Sequence, residues 1–278
     1  MSNLTVLKNR RNSIEVILRA SIAMSAVANV RIRRVSSYIE KAEKFFSGFE
    51  AFASQIRESI YLPFIMNKEK GHKLNILIGC DKGLCGNFYS SVKSYFKIKS
   101  KKDEDIWMLL GQKTSSLANK NRFVFFGDLN LDIEAIFAKT FEIWSFIKSE
   151  FIQELDIHYY SKTGITKKTV FSVDLIKKDL QNNIKVESDL FGHIDEKEKF
   201  EKEDLEEAAV FLLGKEIFSA VLESSLQENK KRSISMEKAK NNARTMCEEM
   251  KILYNKLRQE KVTNDLSEIM TFDSEGDF

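Results

Sequence analysis

The residues best suited to chemistry lie in one short turn, Asp81–Gly86, with the sequence Asp-Lys-Gly-Leu-Cys-Gly. The turn follows an apolar run that predicts a buried strand and precedes a predicted helix, where α/β proteins often bind phosphate groups. It matches neither glycine pattern of phosphate-binding loops, G-x-G-x-x-G or G-x-x-x-x-G-K-[ST]. The stretch Gly111–Ser115 also lacks the upstream glycine of such a loop. We therefore interpret Gly83, Cys85 and Gly86 as parts of a tight structural turn.

Nucleophilic and metal chemistry find little support in the spacing of cysteines and histidines. Cys85 lies near a predicted helix start, where the pKa of a thiol falls, but no histidine lies close to it in sequence. The three histidines, His72, His158 and His193, do not have the spacing of metal ligands. We predict a packed structural cysteine, no catalytic residue, no cofactor and no metal.

Composition narrows the class of protein. The 278 residues carry 44 basic and 41 acidic side chains, a net charge of +3, which argues against a dedicated nucleic-acid binder. A single proline and 11 glycines favour long uninterrupted helices. Three cysteines without a C-x-x-C pair predict reduced thiols. We expect a soluble protein, because no segment approaches the ~18–20 apolar residues of a membrane span.

Two long helices are predicted at the ends of the chain, over residues 1–66 and 204–272. Each carries apolar side chains at alternating steps of three and four, which is typical of a helix that packs along one seam. A helix of roughly 65 residues is about 100 Å long, more than a small domain can cover. The helices should therefore pair with each other and with another protein. The predicted seams include Leu7, Ile14, Leu18, Ala28, Ile32, Val35, Ile39, Ala42 and Phe46, and Ala239, Ala243, Met246, Met250, Leu253 and Leu257.

The middle of the chain, residues 73–202, alternates strand and helix patterns and predicts a small α/β domain with a connection back to the second long helix. A short acidic tail, residues 273–278, is expected to fray into solvent. Predicted strands are Leu74–Cys80, Ile106–Leu110, Phe123–Phe126, Ile157–Tyr160 and Thr169–Leu175, and predicted helices are Phe88–Ile98 and Leu131–Phe151.

Three motifs resemble the gamma subunit of F-type ATP synthases. Leu253–Gln259, Val262–Thr263 and Leu266–Ile269 resemble the family signature YNKxRQxxITxELxEI. Asp81–Gly86 is similar to the family turn D-[RK]-GLCG, and Arg19–Ala28 is a degraded form of KITKAMxMVA. The order and spacing of the motifs extend the resemblance over essentially the whole chain. The acidic tail departs from the small apolar residues that are usual in the family.

The resemblance implies a mixed α+β and α/β fold, with a long antiparallel coiled coil of the terminal helices and an inserted Rossmann-like α/β domain. It implies a non-catalytic rotating central stalk that couples ion flow through the membrane c-ring to ATP synthesis or hydrolysis. The implied partners are the alpha and beta subunits of the catalytic head, the epsilon subunit and the c-ring. The implied location is the cytoplasmic face of a bacterial inner membrane, with peripheral attachment through the c-ring.

The resemblance also implies roles for individual residues. Arg258 and Gln259 match positions that hydrogen-bond a loop of one beta subunit. A second group lies near the acidic C-terminal segment of beta in such an assembly, namely Met24, Arg31, Arg33 and Arg34. Positions that support coupling between the helices and the head are matched by Arg232, Thr263 and Glu268. Two other classes stay open on sequence alone: a homodimeric coiled-coil scaffold and a nucleotide-binding α/β enzyme.

Overall fold

The computed structural model describes residues 3–65, 71–100, 105–117, 123–125, 133–173 and 202–275. The chain divides into two compact units, one formed by Met1–Val30 with Arg232–Phe278 and the other by Arg31–Lys231. The elements in chain order are α1 (Asn3–Ile65), β1 (His72–Ile78), α2 (Phe88–Lys99), β2 (Ile106–Leu110), β3 (Phe123–Phe125), α3 (Ile133–Ser149), β4 (Ile152–Ser161), β5 (Gly164–Ser172) and α4 (Lys202–Glu275), with a 3-10 turn at Thr114–Leu117.

In the first unit, the beginning of α1 packs along the second half of α4. Ser233 Oγ donates a hydrogen bond to Asn29 Oδ1 at 2.8 Å, and the Arg11 guanidinium lies 5.8 Å from the centre of the Tyr254 ring. The contact partner on α4 moves towards the C-terminus as the residue on α1 moves towards the N-terminus. These two segments are therefore antiparallel.

Small side chains line the contact between these two segments. The buried positions on α1 follow steps of four and three, as the heptad pattern predicts, and several of them are Ser or Ala, which let two helix backbones approach closely. They are Ile14, Ser21, Ser25 and Ala28 on α1, with Arg232, Met236 and Ala243 on α4.

One part of the predicted seam on α4 is wrong. Met246 and Leu253 are exposed, whereas the neighbouring Cys247 and Tyr254 are half-buried. The heptad spacing selects Met246 and Leu253, but the helix is rotated so that Tyr254 meets Arg11 on α1. Adjacent apolar residues on a helix leave the direction of the seam uncertain by one position, and here the aromatic contact decides it.

The expectation that no segment is apolar enough to cross a membrane is also wrong by length and composition. The stretch Leu4–Gly48 of α1 is long enough and apolar enough to cross a membrane, and only 22% of its most apolar segment is buried. Residues 12–30 of that stretch are rich in Ala, Ile and Val, and their charged side chains are Glu15 and Arg19. A single such helix near an N-terminus is weak evidence for a membrane span.

The second unit is built on a five-stranded sheet with the order β3-β2-β1-β4-β5. β1 pairs in parallel with β2 and β4, β2 pairs in parallel with β3, and β5 is antiparallel to β4. β2 has the predicted bounds. β4 begins five residues before its predicted start, because the polar residues Gln153 and Glu154 hide the strand pattern there.

Both faces of the sheet are covered, as a largely parallel sheet requires. Leu74, Ile76 and Ile78 of β1 belong to a core shared with α3 and the first half of α4. Leu77, the residue between them, belongs to a second core with Phe88 and other residues of α2. The alternation of a strand thus assigns successive residues of β1 to opposite faces.

The structure describes only part of the predicted connection to α4 and only part of the predicted acidic tail. Residues 174–201, which include most of the predicted connection, lie outside the described part of the chain. α4 continues through Glu275, so the backbone of residues 273–275 is helical and the expected fraying does not begin at Asp273. Residues 276–278 lie outside the described residues.

Candidate functional site

The turn after β1 is fixed by the turn after β2, its parallel neighbour. Lys113 donates a backbone hydrogen bond to the Cys80 carbonyl at 3.0 Å, and the Gln112 amide donates to Asp81 Oδ1 at 3.1 Å. Leu84 and Gly86 both have left-handed backbones, with φ of 62° and 58°. Leu84 pays a conformational cost that glycine would avoid, so neighbouring contacts must hold it in place.

Gly79, the first residue after β1, is needed because a side chain occupies the space beside it. A Cβ at Gly79 would lie 1.8 Å from Thr114 Oγ1. Thr114 is fully buried, and its hydroxyl accepts a hydrogen bond from the Cys80 amide at 2.7 Å. The pair positions the start of the turn and, with it, the thiol of Cys80.

Two cysteines and a carboxylate converge beneath this turn. The Sγ atoms of Cys80 and Cys85 are 3.4 Å apart, and the Cys80 thiol donates to the Lys82 carbonyl at 2.7 Å. Glu228 of α4 approaches from the other side and accepts a hydrogen bond from the Asp81 amide at 3.5 Å. Cys80, Cys85 and Glu228 are all buried. We name these three residues the thiol–carboxylate cluster.

A second polar group is buried in β4, next to β1. Asp156 is fully buried and forms ion pairs with Lys73 and, at 3.1 Å, with Lys167. Burial by itself raises the pKa of Asp156, but hydrogen bonds from Lys73, Thr169 and Lys167 outweigh that effect and hold the pKa below its usual value. The carboxylate is therefore a structural anion.

His158, two residues further along β4, is held in its neutral form. Its Nε2 lies 2.9 Å from Asn75 Oδ1, which can only accept, so Nε2 carries the proton. Its Nδ1 is then free to accept the hydrogen bond of the Tyr95 hydroxyl at 2.8 Å. Burial is the main cause that lowers the pKa of His158 from 6.5 to about 4.

These positions leave Cys85 without a histidine base among the residues that the structure describes. His158 uses both ring nitrogens in its own network. His72 lies at the start of β1, the end of that strand remote from the turn. His193 lies outside the described residues. Within the described ranges, Cys85 is therefore not part of a cysteine–histidine pair of the kind used in covalent catalysis.

The residues with predicted partner roles are mostly exposed. Met24, Thr263, Arg258 and Gln259 are exposed in the first unit, and Arg31, Arg33 and Arg34 in the second. Thr263 Oγ1 donates to the Gln259 carbonyl within α4 at 2.9 Å. Arg232, in contrast, is buried. The side chain of Glu268 lies outside the described residues.

Comparison with known proteins identifies the family. A family model described as ATP synthase matches residues 3–271, nearly the whole chain. The chain belongs to the ATP synthase gamma family. The ATP synthase gamma chain of Mesoplasma florum is 27% identical, with 98% of each chain covered. That of Ruminococcus albus is 26% identical, with 97% of each chain covered.

Solved structures agree at the level of the fold. A chain in the cryo-EM structure of the Euglena gracilis mitochondrial ATP synthase OSCP/F1/c-ring assembly has a TM-score of 0.69 at 13% identity, covering 98% of this chain and 93% of that one. The predicted combination of an N-terminal helix, a mixed sheet and a C-terminal helix is thereby confirmed. Membership of the gamma family also confirms the family resemblance that the sequence motifs indicated.

Sequence reasoning did not find the thiol–carboxylate cluster. The sequence identified Cys85 and the turn, but no pattern in it joined them to Cys80 or to Glu228. Glu228 is on α4, more than 140 residues after Cys85 in sequence. A C-x-x-x-x-C spacing also differs from the C-x-x-C pairs that usually signal a joint role for two thiols.

Proposed function

We propose that this chain is the gamma subunit at the rotating central stalk of an F-type ATP synthase. It couples ion flow through the membrane c-ring to ATP synthesis or hydrolysis in a head of alpha and beta subunits, and it carries no catalytic residue of its own. The observation that carries the proposal is the long antiparallel pairing of α1 and α4 with large apolar side chains left exposed on both helices.

These exposed side chains call for an enclosing partner. Monomeric soluble proteins rarely leave long rows of apolar residues in water, and both helices of the first unit do so. A sleeve of alpha and beta subunits around an antiparallel coiled coil would cover them. They are Val6, Val16, Ile17, Ile22, Val27 and Val30 on α1, with Ile234, Met246, Ile252, Leu253, Val262 and Leu266 on α4.

The α/β unit, in our proposal a Rossmann-like domain, contacts the epsilon subunit and the c-ring. Peripheral attachment through the c-ring places the protein at the cytoplasmic face of a bacterial inner membrane. Its strand order and parallel pairs resemble those of nucleotide-binding sheets, but the turn after β1 holds buried thiols and Glu228 where such sheets bind phosphate. In our proposal the sheet therefore has a structural role and does not bind a nucleotide.

Assembly tests this proposal directly. Co-expression with the alpha and beta subunits encoded in the same genome should yield a complex in which the chain is present once per three alpha and three beta subunits. Size measurement of the isolated chain should give a monomer. A stable homodimer that does not recruit alpha and beta would instead support the scaffold class.

The isolated chain should neither bind ATP tightly nor hydrolyse it. Neither phosphate-loop pattern is present in the sequence, and Cys85 has no histidine base among the described residues. Isothermal titration calorimetry with Mg-ATP should give no micromolar affinity, and phosphate release should equal the buffer blank. Micromolar binding would favour the nucleotide-binding enzyme class.

Replacing Arg258 and Gln259 together by Ala should uncouple the motor. Both side chains are exposed on α4 and are proposed to hydrogen-bond a beta subunit. A hydrogen bond to a charged group contributes about 1.5–3 kcal/mol, so ATP-driven ion pumping in reconstituted vesicles should fall at least about tenfold.

The matched control is Lys251→Ala with Asn241→Ala, which removes one cation and one amide from exposed positions of the same helix outside the motif Leu253–Gln259. This control should pump like the wild type. Full pumping by the Arg258→Ala, Gln259→Ala variant would show that these two positions are not coupling contacts.

A further inference from the structure

We propose that the thiol–carboxylate cluster is a binding site for a thiophilic divalent cation of the zinc type. Cys80 and Cys85 would bind as thiolates and Glu228 as a carboxylate, with a water molecule as the fourth ligand. The proposal does not depend on the rotary function, because every element of the site lies within the α/β unit of the chain itself.

The distances suit such an ion. One sulfur from each cysteine and one oxygen from Glu228 all lie within 4.8 Å of one another. Zinc–sulfur bonds of about 2.3 Å in a tetrahedral site place two sulfurs about 3.8 Å apart. The observed Sγ–Sγ distance of 3.4 Å needs only a small rotation of either side chain to reach that value.

The ligand types favour zinc over harder cations. Thiolates select soft and borderline metals, whereas Mg²⁺ and Ca²⁺ prefer all-oxygen sites. The three ligands come from two separate parts of the chain, a turn that is fixed by backbone hydrogen bonds and a long helix. A ligand set held by two rigid elements is preorganised for a metal rather than assembled around it.

The site lies close to solvent. The thiols are buried, but Lys82, Leu84 and Gly86 of the adjoining turn are exposed. The ion would displace one proton from each thiol and would interrupt the contact between the Cys80 thiol and the Lys82 carbonyl. Its overall effect would be to join the turn after β1 to α4.

Cobalt is the probe for the test, because Co²⁺ occupies zinc sites and is coloured. Titration of the reduced full-length chain should produce a thiolate-to-cobalt charge-transfer band in the near ultraviolet and visible bands typical of tetrahedral Co²⁺, saturating at one ion per chain. Added Zn²⁺ should remove both sets of bands. Calorimetry in buffers of different ionisation enthalpy should show release of about two protons per ion at neutral pH.

Variants identify the ligands. Cys80→Ser and Cys85→Ser keep the side-chain size, and each should weaken binding about a hundredfold, because even residues that only orient a ligand cost 10–100-fold. Glu228→Gln should keep the charge-transfer band but lower the affinity at least about tenfold. The matched control is Cys247→Ser, which alters the one cysteine outside the cluster and should leave binding unchanged.

Several outcomes would overturn the proposal. One is a wild-type chain that shows no thiolate band with Co²⁺ while its denaturation curve is that of a folded protein. Another is a band that persists in the Cys80→Ser, Cys85→Ser double variant or disappears in Cys247→Ser. A chain whose two clustered cysteines resist alkylation after denaturation, until a reductant is added, would instead indicate a disulfide.

Discussion

Gly79→Ala should destabilise the α/β unit by about 3 kcal/mol or more. The added methyl would overlap Thr114, whose short branched side chain is fully buried and cannot move aside. Overpacking of a core costs about 1–3 kcal/mol. Displacing the Thr114 hydroxyl also leaves the Cys80 amide without its partner, at a further cost of about 1–3 kcal/mol.

Denaturant unfolding followed by tryptophan fluorescence measures this effect selectively. The chain has two tryptophans, Trp107 and Trp144, and both are buried in the α/β unit. Gly48→Ala is the matched control, because nothing lies within 4 Å of a Cβ at that helical position. It should be neutral or stabilising by up to about 1 kcal/mol.

A double-mutant cycle separates steric overlap from other causes. Thr114→Gly alone should lose the hydrogen bond to the Cys80 amide. Adding Gly79→Ala to that background should then cost much less than adding it to the wild type, because the overlapping atoms are gone. Equal costs in the two backgrounds would show that Thr114 does not explain the glycine.

His158 should make the α/β unit lose about 3 kcal/mol of stability between neutral pH and pH 4. Burial lowers the pKa of His158 from 6.5 to about 4, so the unfolded chain takes up a proton between these values and the folded chain does not. The contribution of neutral His158 to the free energy of unfolding is therefore complete above pH 6.5. It is lost as the pH falls to about 4. Each pKa unit corresponds to about 1.4 kcal/mol.

Unfolding curves at pH 7, 5.5 and 4.5 test this directly. His158→Gln should flatten the dependence over that range, whereas His72→Gln, which alters an exposed histidine at the start of β1, should preserve it. Asp156 does not interfere, since its lowered pKa confines its contribution to pH values below the usual carboxyl range. An unchanged slope in His158→Gln would assign the titration to another group.

The sequence predicts the positions of many strands and helices because these depend on the pattern of neighbouring apolar residues. Ile106–Leu110 is a run of five apolar residues, and its bounds are correct. The heptad steps from Ile14 to Phe46 likewise mark buried or half-buried positions on α1. What fails is the choice between adjacent residues that can both pack on a seam, such as Leu253 and Tyr254, because the rotation of a helix depends on the partner it meets.

The candidate site was only half visible in the sequence for a different reason. The glycines and Cys85 are recognisable as a turn, since turn chemistry is encoded in adjacent residues. The approach of Glu228 depends on how α4 crosses the sheet, and the space filled by Thr114 depends on how the β2 turn folds back. Both the position of Glu228 and that of Thr114 depend on contacts between segments that are far apart in sequence.

The end of the sheet at β5 bears on how the free subunit avoids self-association. An outer strand offers unpaired backbone groups to which another chain can add. β5 carries two consecutive lysines. Lys167 forms an ion pair with Asp156, and Lys168 forms one with the buried Glu216. A newly made subunit that has not yet met its assembly would therefore resist edge-to-edge aggregation at this strand. Replacing the two lysines by apolar residues would therefore promote edge-to-edge aggregation of the free subunit at β5.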